Sequence, residues 1–347
     1  MAQRLPSLGL ENVFKSGKKR EPSTRPDGRP EGCSPLVTGH SLSRRSPPNG
    51  RPKIWGPGRS QHNSRIIATA NPDTLRSAGR LAEFDLLLER ANVDICGIQE
   101  TRWPEDTTVL QPNYQFIFSK ATPTGQGGVG VAIRRPLQNC VMAVELIGPR
   151  LMWVRLRGAA RHLSIIIAYS PTNAEDTTEE SRDAFYASLH RAWANCCRKD
   201  VRIILMDANT TAGTNRQLAP LGVGPFGCPL PEYSPLPENT PNGLRFLEFL
   251  NSTGCADGAT WFRKPAYKKQ TFFSTAELSP PKDLDHILIA GSDKNCLRDS
   301  YVRHYIHIST TCVPRRTDSK LPGHRLLIGK LQIRLSTRFQ VHKGFTV

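Results

Sequence analysis

The pattern of hydrophobic and polar positions changes near residue 65. Residues 1–62 are rich in proline, glycine, serine and arginine and show no sustained helical or strand periodicity, which predicts a disordered basic segment. From residue 65 to residue 335, apolar runs alternate with polar turns, so this region is the predicted folded domain. Residues 336–347 are predicted to form a basic C-terminal tail.

Most apolar runs of the predicted domain have the length of a β-strand and are bounded by glycine, proline or polar residues. A further strand is predicted around His304 and His307, and both histidines are interpreted as structural. The other predicted strands are IIATA, VDICGIQE, FIFSK, GVGVAIRR, MWVRLRG, HLSIIIAYS, VRIILMDAN, ATWF, TFF, DLDHILIA and residues 326–335.

Three segments show helical spacing. The first, residues 76–91, has one apolar face formed by Leu81, Phe84, Leu87, Leu88 and Ala91. The second covers residues 178–198, with Thr177 and Glu180 at capping-box spacing. The third, NGLRFLEFLNSTG, ends at Gly254 and follows a long loop at 210–239. Many strands with few helices, in two similar halves, predict an α/β fold: a four-layer sandwich of two packed mixed β-sheets flanked by helices.

The basic charge is concentrated at the two ends of the chain. The formal net charge is +17, and residues 1–65 carry 13 Lys+Arg against 4 Asp+Glu, whereas residues 312–347 carry 8 against 1. The region between them is therefore nearly neutral. Basic tails are often only solvated, and the alternative is that these tails bind the phosphate backbone of DNA.

Cysteine usage and hydropathy indicate an intracellular protein. The nine cysteines never form a CxxC motif, so reduced thiols are favoured over a zinc module or a disulfide framework. There is no apolar stretch of roughly 18 residues and no signal-peptide core at the N-terminus, which predicts a nuclear or cytoplasmic protein without a membrane contact. No obligate protein partner is evident.

Polar residues recur where the predicted strands end. One such residue alone is usually a cap or a turn, but the repetition predicts a shared cleft at the mouth of a sheet. Glu100 could instead pair with Arg102, and His286 is interpreted as an ordinary half-buried aromatic residue. A local Asx turn is the alternative for the Asp207–Asn209 segment. The strand-end residues are Asn71, Glu100, Tyr169, Asp207, Asn209, Asp285 and His324.

Four motifs carry a family resemblance. GIQETRW at 97–103, AYSPTN at 168–173, MDANTTAG at 206–213 and DLDHILI at 283–289 resemble, in this order, the signatures of the endonuclease/exonuclease/phosphatase superfamily. That superfamily includes apurinic/apyrimidinic endonucleases and deoxyribonuclease I. The segments TLRSAGRLAEFDLLLERANVDICGIQETRW, GGVGVAIRR and NGLRFLEFL resemble the endonuclease domains of non-LTR (LINE-type) retrotransposons. The resemblance covers about residues 65–335.

The resemblance implies a metal ligand and a group that activates water. Glu100 is expected to be the principal ligand of Mg²⁺ or Mn²⁺, with Asp73 as a further ligand. Asp207 is expected to orient or deprotonate the attacking water, while Asn71 and Asn209 fix its geometry and contact the phosphate.

The resemblance also implies groups that assist the phosphate and the leaving oxygen. Tyr169 is expected to donate to a phosphate oxygen or to steady the leaving group. His324, held in one orientation by Asp285, is expected to stabilise or protonate the phosphate in the transition state.

One position departs from the family pattern. The family's last motif reads Ser-Asp-His, whereas this chain has Pro322, Gly323 and His324, so the acid is missing. Loss of such a partner weakens metal binding or activity by roughly 10- to 100-fold. The sequence therefore predicts an attenuated enzyme, in which Gly323→Asp is at least as active as the natural chain at saturating metal.

Three functions are compatible with these residues. The leading hypothesis is a metal-dependent DNA-nicking endonuclease of retrotransposon origin that leaves a 3′ hydroxyl. The alternative is a catalytically inactive remnant of the same fold that binds nucleic acid through its basic tails. An inositol-phosphate or lipid phosphatase is less favoured, because the middle motifs resemble the retrotransposon branch.

Overall fold

Two β-sheets lie at the centre of the structure, a computed structural model that describes residues 64–173, 177–230, 235–275, 279–308 and 322–337. All of these residues belong to one compact unit, Trp55–Val347. The predicted basic segment 1–62 lies outside the described residues, as does most of the predicted C-terminal tail. In chain order the elements are β1 Ser64–Ala70, α1 Ala78–Arg90, β2 Ile95–Ile98, β3 Thr107–Leu110, β4 Tyr114–Phe118, β5 Gly130–Arg134, β6 Val141–Gly148, β7 Leu151–Leu156, β8 Leu163–Tyr169, α2 Glu179–Asn195, β9 Val201–Asp207, α3 Pro241–Thr253, β10 Cys255–Asp257, β11 Phe272–Phe273, β12 Asp285–Ala290, β13 Leu297–His307 and β14 Gly323–Gln332.

The sheets are mixed, as predicted. The first runs in the order β11-β14-β1-β2-β5-β4-β3, with β13 also paired to β14, and the second runs β10-β12-β9-β8-β7-β6. The pairs β1–β2 and β8–β9 are parallel, and their neighbours are antiparallel. Because parallel neighbours end at the same edge of a sheet, this topology brings the ends of strands that are distant in sequence close together.

Three apolar layers hold the sandwich together. One lies between the sheets and contains residues such as Ile67, Ile165 and Ile287. A second packs α1 on the outer face of the first sheet, and a third packs α2 and α3 on the outer face of the second sheet. Helix, sheet, sheet and helices therefore form four layers, which confirms the predicted fold class.

The helices follow their apolar stripes and their caps. Ser77 caps α1 by accepting a hydrogen bond from Arg80 N at 3.3 Å. Gly254, with φ of 67°, ends α3 in the left-handed conformation that favours glycine, as predicted. The predicted start of α2 was wrong by one residue: Thr178, not Thr177, is the N-cap, because its Oγ1 reaches Ser181 N at 3.2 Å.

Some strand predictions also need correction. ATWF was predicted as a strand, but Gly258–Trp261 is a short 3-10 helix that begins where the Asp257 side chain accepts the Ala259 N–H at 3.4 Å. The strand lies just before it, as β10. The apolar pattern did not predict β3 and β6, because each lies at an edge of its sheet with much of its length exposed and therefore lacks a strong apolar run.

The described residues also show the state of the cysteines and the apolar character of the helices. Seven cysteines fall within them, and all seven are free thiols, as predicted. Within the same part of the chain, no helix has both the length and the apolar character needed to cross a membrane.

Candidate active site

The polar residues at the strand ends gather at one edge of the two sheets. Asn71 follows β1 and Glu100 closely follows β2. Tyr169 and Asp207 end β8 and β9 and pair in register, and Asp285, at the start of β12, pairs with Asp207 from the other side. The neighbouring strands thus place these side chains in one cluster.

Asp207 lies at the centre of this cluster and is fully buried. Its Oδ2 accepts a hydrogen bond from Asn71 Nδ2 at 2.9 Å, and its Oδ1 accepts the Asn209 N–H at 2.9 Å. The second bond closes an Asx turn, so the turn interpretation and the site interpretation describe the same side chain. Burial, followed by the charge of Asp285, raises the pKa of Asp207 to about 6.

His324 is held in one orientation by Asp285. His324 Nδ1 donates to Asp285 Oδ2 at 2.8 Å, which leaves Nε2 pointing toward Asp207, 3.8 Å from its Oδ2. Phe272 packs against the imidazole with 4.9 Å between ring centroids. Burial lowers the pKa of His324, but the charge and hydrogen bond of Asp285 and the charge of Asp207 outweigh it, so the pKa is raised to about 9. The ring is therefore a cation at neutral pH.

Asn209 is part of the framework that holds Asp207. Its Nδ2 donates to the carbonyl oxygen of Ser170 at 2.9 Å, and Asn173 Nδ2 donates to the carbonyl oxygen of Asn209 at 2.9 Å. These bonds tie the turn after β9 to the segment after β8. A direct contact between Asn209 and a phosphate stays a prediction.

Tyr169 and Glu100 are joined by a hydrogen bond from the phenol to Glu100 Oε1. Burial, with the charges of Glu100 and Asp207, raises the pKa of Tyr169 above its usual value, so the phenol remains a donor at neutral pH. The guanidinium of Arg150 lies over the tyrosine ring, 4.8 Å from its centroid. No sequence pattern indicated Arg150, which lies in the tight turn between β6 and β7.

Asp73 lies at the exposed rim of the cluster. Its backbone N–H donates to Asn71 Oδ1 at 2.9 Å, and its side chain, 59% exposed, accepts from Arg102 Nη2 at 2.8 Å. The same Arg102 atom lies 3.7 Å from Glu100 Oε2. Arg102 therefore contacts both acids that the resemblance assigns to the metal, and the pairing of Glu100 with Arg102 that the sequence suggested is weak.

The backbone around the cluster is strained. Among the described residues, five other than glycine have positive φ, and four of them belong to the site: Asp73 at 65°, Glu100 at 50°, Arg102 at 53° and Asn209 at 50°. Such conformations cost roughly 1 kcal/mol or more each and concentrate at functional sites. The backbone conformation therefore indicates the same edge of the sheets as the candidate active site, independently of the sequence motifs.

The chemistry of the donor atoms fits a divalent cation. A carboxylate oxygen of Asp207, one of Asp285 and a ring nitrogen of His324 all lie within 4.8 Å of one another, and all three residues are buried. Within the described part of the chain, Asp285 Oδ1 is buried and has no hydrogen-bond partner. A buried carboxylate oxygen without a partner is costly unless a cation or another donor approaches it.

His286 was predicted to be a half-buried aromatic residue, and this was wrong. It is only 1% exposed, its Nδ1 donates to Asp257 Oδ2 at 3.0 Å, and its Nε2 lies 2.9 Å from the carbonyl oxygen of Thr210. Adjacent residues of a strand point to opposite faces, so His286 turns away from the cluster and packs against Phe246 of α3. A fully buried imidazole needs such polar partners.

Gly323 occupies the position where the family pattern has an aspartate. Its φ is 98°, a conformation that residues with a Cβ rarely adopt, and it pairs with Phe273 at the start of β14. An aspartate at this position would therefore strain the backbone, a cost that the sequence alone did not show.

The model of the Endonuclease/Exonuclease/phosphatase family matches residues 54–293, which is more than half of the chain. The chain belongs to this family. The match includes β1 to β12 and all of the clustered residues except His324 and Gly323. The family-level resemblance inferred from the ordered motifs is therefore confirmed.

Two curated proteins are similar in sequence to part of this chain. Craniofacial development protein 2 of Bos taurus is 25% identical over 196 residues, which cover 56% of this chain and 31% of that protein. The counterpart from Tragulus javanicus is 24% identical over 196 residues and is covered to 32%. This family member thus spans about a third of the length of the curated relatives it matches.

Two solved structures share the fold of this family member. The 3′ phosphatase NExo from Neisseria, bound to a product DNA hairpin, has a TM-score of 0.54 and 15% identity, and the match covers 77% of this chain and 99% of that one. An AP endonuclease from Archaeoglobus fulgidus has a TM-score of 0.54 and 17% identity with the same coverage. At this level of identity the likeness establishes the fold.

Proposed function

We propose that the chain is a divalent-metal-dependent phosphodiester hydrolase that nicks DNA and leaves a 3′ hydroxyl. The observation that carries this proposal is the cluster of Asp207, Asp285 and His324, in which a buried carboxylate faces an imidazole that a second carboxylate orients. The family and the nuclease neighbours support this class of reaction. The order of the sequence motifs supports a retrotransposon origin.

Asp207 orients and deprotonates the attacking water in this proposal. A general base is most effective when its pKa lies near the working pH, and the pKa of Asp207 is raised to about 6. The Asn71 bond and the Asx turn fix both carboxylate oxygens, so the base does not have to reorganise before reaction.

His324 binds the phosphate as a cation. With a pKa of about 9 it is protonated at neutral pH, and the Asp285 bond directs Nε2 to the side of Asp207. A protonated imidazole in this position donates a charge-assisted hydrogen bond to a phosphoryl oxygen as negative charge develops there.

The carboxylates of Glu100 and Asp285 are the groups that would hold Mg²⁺ or Mn²⁺, since hard cations prefer oxygen ligands and Asp285 Oδ1 has no hydrogen-bond partner within the described residues. The bound cation would neutralise charge on the phosphoryl oxygens. Tyr169 keeps Glu100 in place through its phenol. Asp73 stays a predicted further ligand, and it would have to exchange its Arg102 contact for the cation.

A plasmid-nicking experiment tests the proposal. The full chain is expected to convert supercoiled DNA to the open circle with Mg²⁺ or Mn²⁺, to stop when the metal is chelated, and to lose the activity in Glu100→Gln. Arg90→Gln, an exposed change on α1, is the matched control and is expected to retain activity. If neither metal supports nicking above the level of Glu100→Gln, the proposal is wrong.

A nucleic-acid-binding protein without catalytic activity is the second candidate. The observation that favours it is Gly323, where the carboxylate of the family pattern is absent and the backbone has a φ of 98°. In that case DNA binding persists in the presence of a chelator while nicking is absent with both metals.

A further inference from the structure

A group of lysines and tyrosines lies along β13, β14 and the segment that precedes β11. The ammonium groups of Lys264, Lys268 and Lys330 lie 5.6, 5.8 and 5.7 Å from the ring centroid of Tyr301. Lys268 also lies 5.6 Å from the ring of Tyr267. We call these five residues the lysine–tyrosine strip.

The strip carries excess positive charge. Asp299 pairs with Lys264 at 2.8 Å and approaches Lys330 at 3.8 Å. Lys268 forms no ion pair within the described residues. Within the described part of the chain, Asp299 thus pairs with two of the three lysines and the third has no acidic partner, which leaves the surface attractive to anions.

Tyr267 adds a flat apolar surface to this charge. Its side chain is 50% exposed, which is unusual for a large aromatic residue. The ring of His304 packs edge-on against it with 5.2 Å between centroids. A ring that is supported on one side and open to solvent on the other can stack on a nucleobase.

The strip is joined to the candidate active site through β14. On β14, His324 pairs with Phe272 of β11. Ile328, four residues further along β14, pairs with Tyr301 of β13. Four strand residues span about 13 Å, a distance that a few nucleotides of a single strand can bridge. A strand whose phosphate is bound at His324 could therefore reach the strip with a short flanking segment.

We propose that the lysine–tyrosine strip binds a nucleic-acid strand that flanks the phosphate held at the active site, with the lysines on its phosphates and Tyr267 stacked on a base. The identity of the ligand rests on the proposed function. Lysine supplies the charge for the backbone and an aromatic face supplies sequence-tolerant stacking, the combination that single-stranded nucleic acid requires. An acidic peptide would pair with the lysines but would not account for the exposed ring of Tyr267.

A binding experiment tests the proposal without hydrolysis. Fluorescence anisotropy measures the affinity of the full chain for a labelled single-stranded DNA of about 16 nucleotides in the presence of EDTA. The triple variant Lys264→Gln, Lys268→Gln, Lys330→Gln is expected to bind at least about fivefold more weakly and to lower the slope of log affinity against log salt by about 2, since each phosphate contact contributes about 0.7. The control triple Arg90→Gln, Arg198→Gln, Lys199→Gln removes the same charge from exposed positions elsewhere and is expected to keep the slope.

Two further variants separate stacking and charge from loss of fold. Tyr267→Ala is expected to weaken binding by about fivefold or more while Tyr267→Phe does not. Asp299→Asn, which removes the acid paired with two strip lysines, is expected to strengthen it. Circular dichroism and melting temperature of each variant identify any that fail to fold.

The outcomes distinguish this inference from the proposed function. If the chain nicks DNA but the strip variants bind with unchanged slope and affinity, the strip proposal is wrong and the function stands. If the two triples lose affinity equally, net charge explains the effect and the strip proposal is also wrong. If the strip variants lose DNA binding while the natural chain never nicks, the strip proposal stands and the proposed function fails.

Discussion

Neighbouring residues of β12 belong to two aspartate–histidine pairs with similar chemistry and different surroundings. Asp285 accepts from His324 at the edge of the sheets, whereas His286 donates to Asp257 beneath α3. In both pairs burial lowers the pKa of the histidine, but the charge and hydrogen bond of its aspartate outweigh this effect and raise the pKa to about 9. A perturbed pKa by itself does not separate them.

The pairs differ at the second ring nitrogen. His286 Nε2 bonds to the carbonyl oxygen of Thr210 at 2.9 Å, so the fold uses both nitrogens. His324 Nε2 instead faces a carboxylate of the candidate active site, 3.8 Å from Asp207 Oδ2. The neighbour of the second ring nitrogen, more than the pKa, therefore distinguishes the histidine of the candidate active site from the one that supports the fold.

The largest expected effect is on activity. His324→Asn is expected to reduce nicking by roughly 10²- to 10⁴-fold, because it removes the charged donor beside Asp207, whereas His286→Asn at a temperature where it remains folded is expected to stay within about tenfold of the natural chain. Initial rates of plasmid nicking measure both. Equal losses in the two variants would contradict the division of roles.

Stability is expected to show the reverse order. His286→Asn leaves Asp257 buried without its partner and is expected to lower the free energy of unfolding by about 3 to 5 kcal/mol. His324→Asn is expected to cost less, since His324 lies at the edge of the sheets and is 8% exposed, against 1% for His286, so water can fill the space that the imidazole leaves. Urea unfolding measures the free energy of unfolding of both variants. A larger loss of stability in His324→Asn than in His286→Asn would contradict this prediction.

The contribution of the His286–Asp257 pair to stability is expected to depend on pH. The pKa of His286 is about 9 in the folded chain against 6.5 for the unperturbed group, so its contribution is complete below pH 6.5 and is lost as the pH rises through 9. That contribution is roughly 3 kcal/mol. Unfolding free energies across this interval should fall more steeply for the natural chain than for His286→Asn, and parallel curves would contradict this assignment.

Gly323 gives the smallest effect and tests the missing acid. Gly323→Ala and Gly323→Asp are each expected to lower the free energy of unfolding by about 1 to 2 kcal/mol, because both place a Cβ on a left-handed residue. Only the aspartate variant is expected to match or exceed the nicking rate of the natural chain at saturating metal. Lower activity in Gly323→Asp than in Gly323→Ala would show that the acid is not what the site lacks.

The sequence was sufficient for the sandwich and for most of the cluster. Apolar runs with strand length and helical stripes predicted the layers, and polar residues at strand ends predicted that Asp207, Asp285 and His324 would converge. These features are local in sequence, since each depends on where an apolar run stops. The strand order that joins them is known from the structure alone.

The remaining features depend on contacts between distant segments. Asp257 and His286 look unrelated in sequence, and only the pairing of β10 with β12 brings them together. The contacts of Arg102 and Arg150 depend on how turns pack, and the conformation of Gly323 depends on its pairing with β11. Edge strands such as β6 carry too little apolar pattern to be recognised.

The two-residue period of β12 has a consequence for insertions and deletions. Ile287 and Ile289 face the layer between the sheets, while Leu288 and Ala290 face the helices. A change of one residue that slid this strand by one position would reverse every side chain on it. Both aspartate–histidine pairs would be lost together, and the apolar side chains of β12 would leave both of their layers. A one-residue insertion or deletion in the loop before Asp285 is therefore expected to be more damaging than a substitution in it.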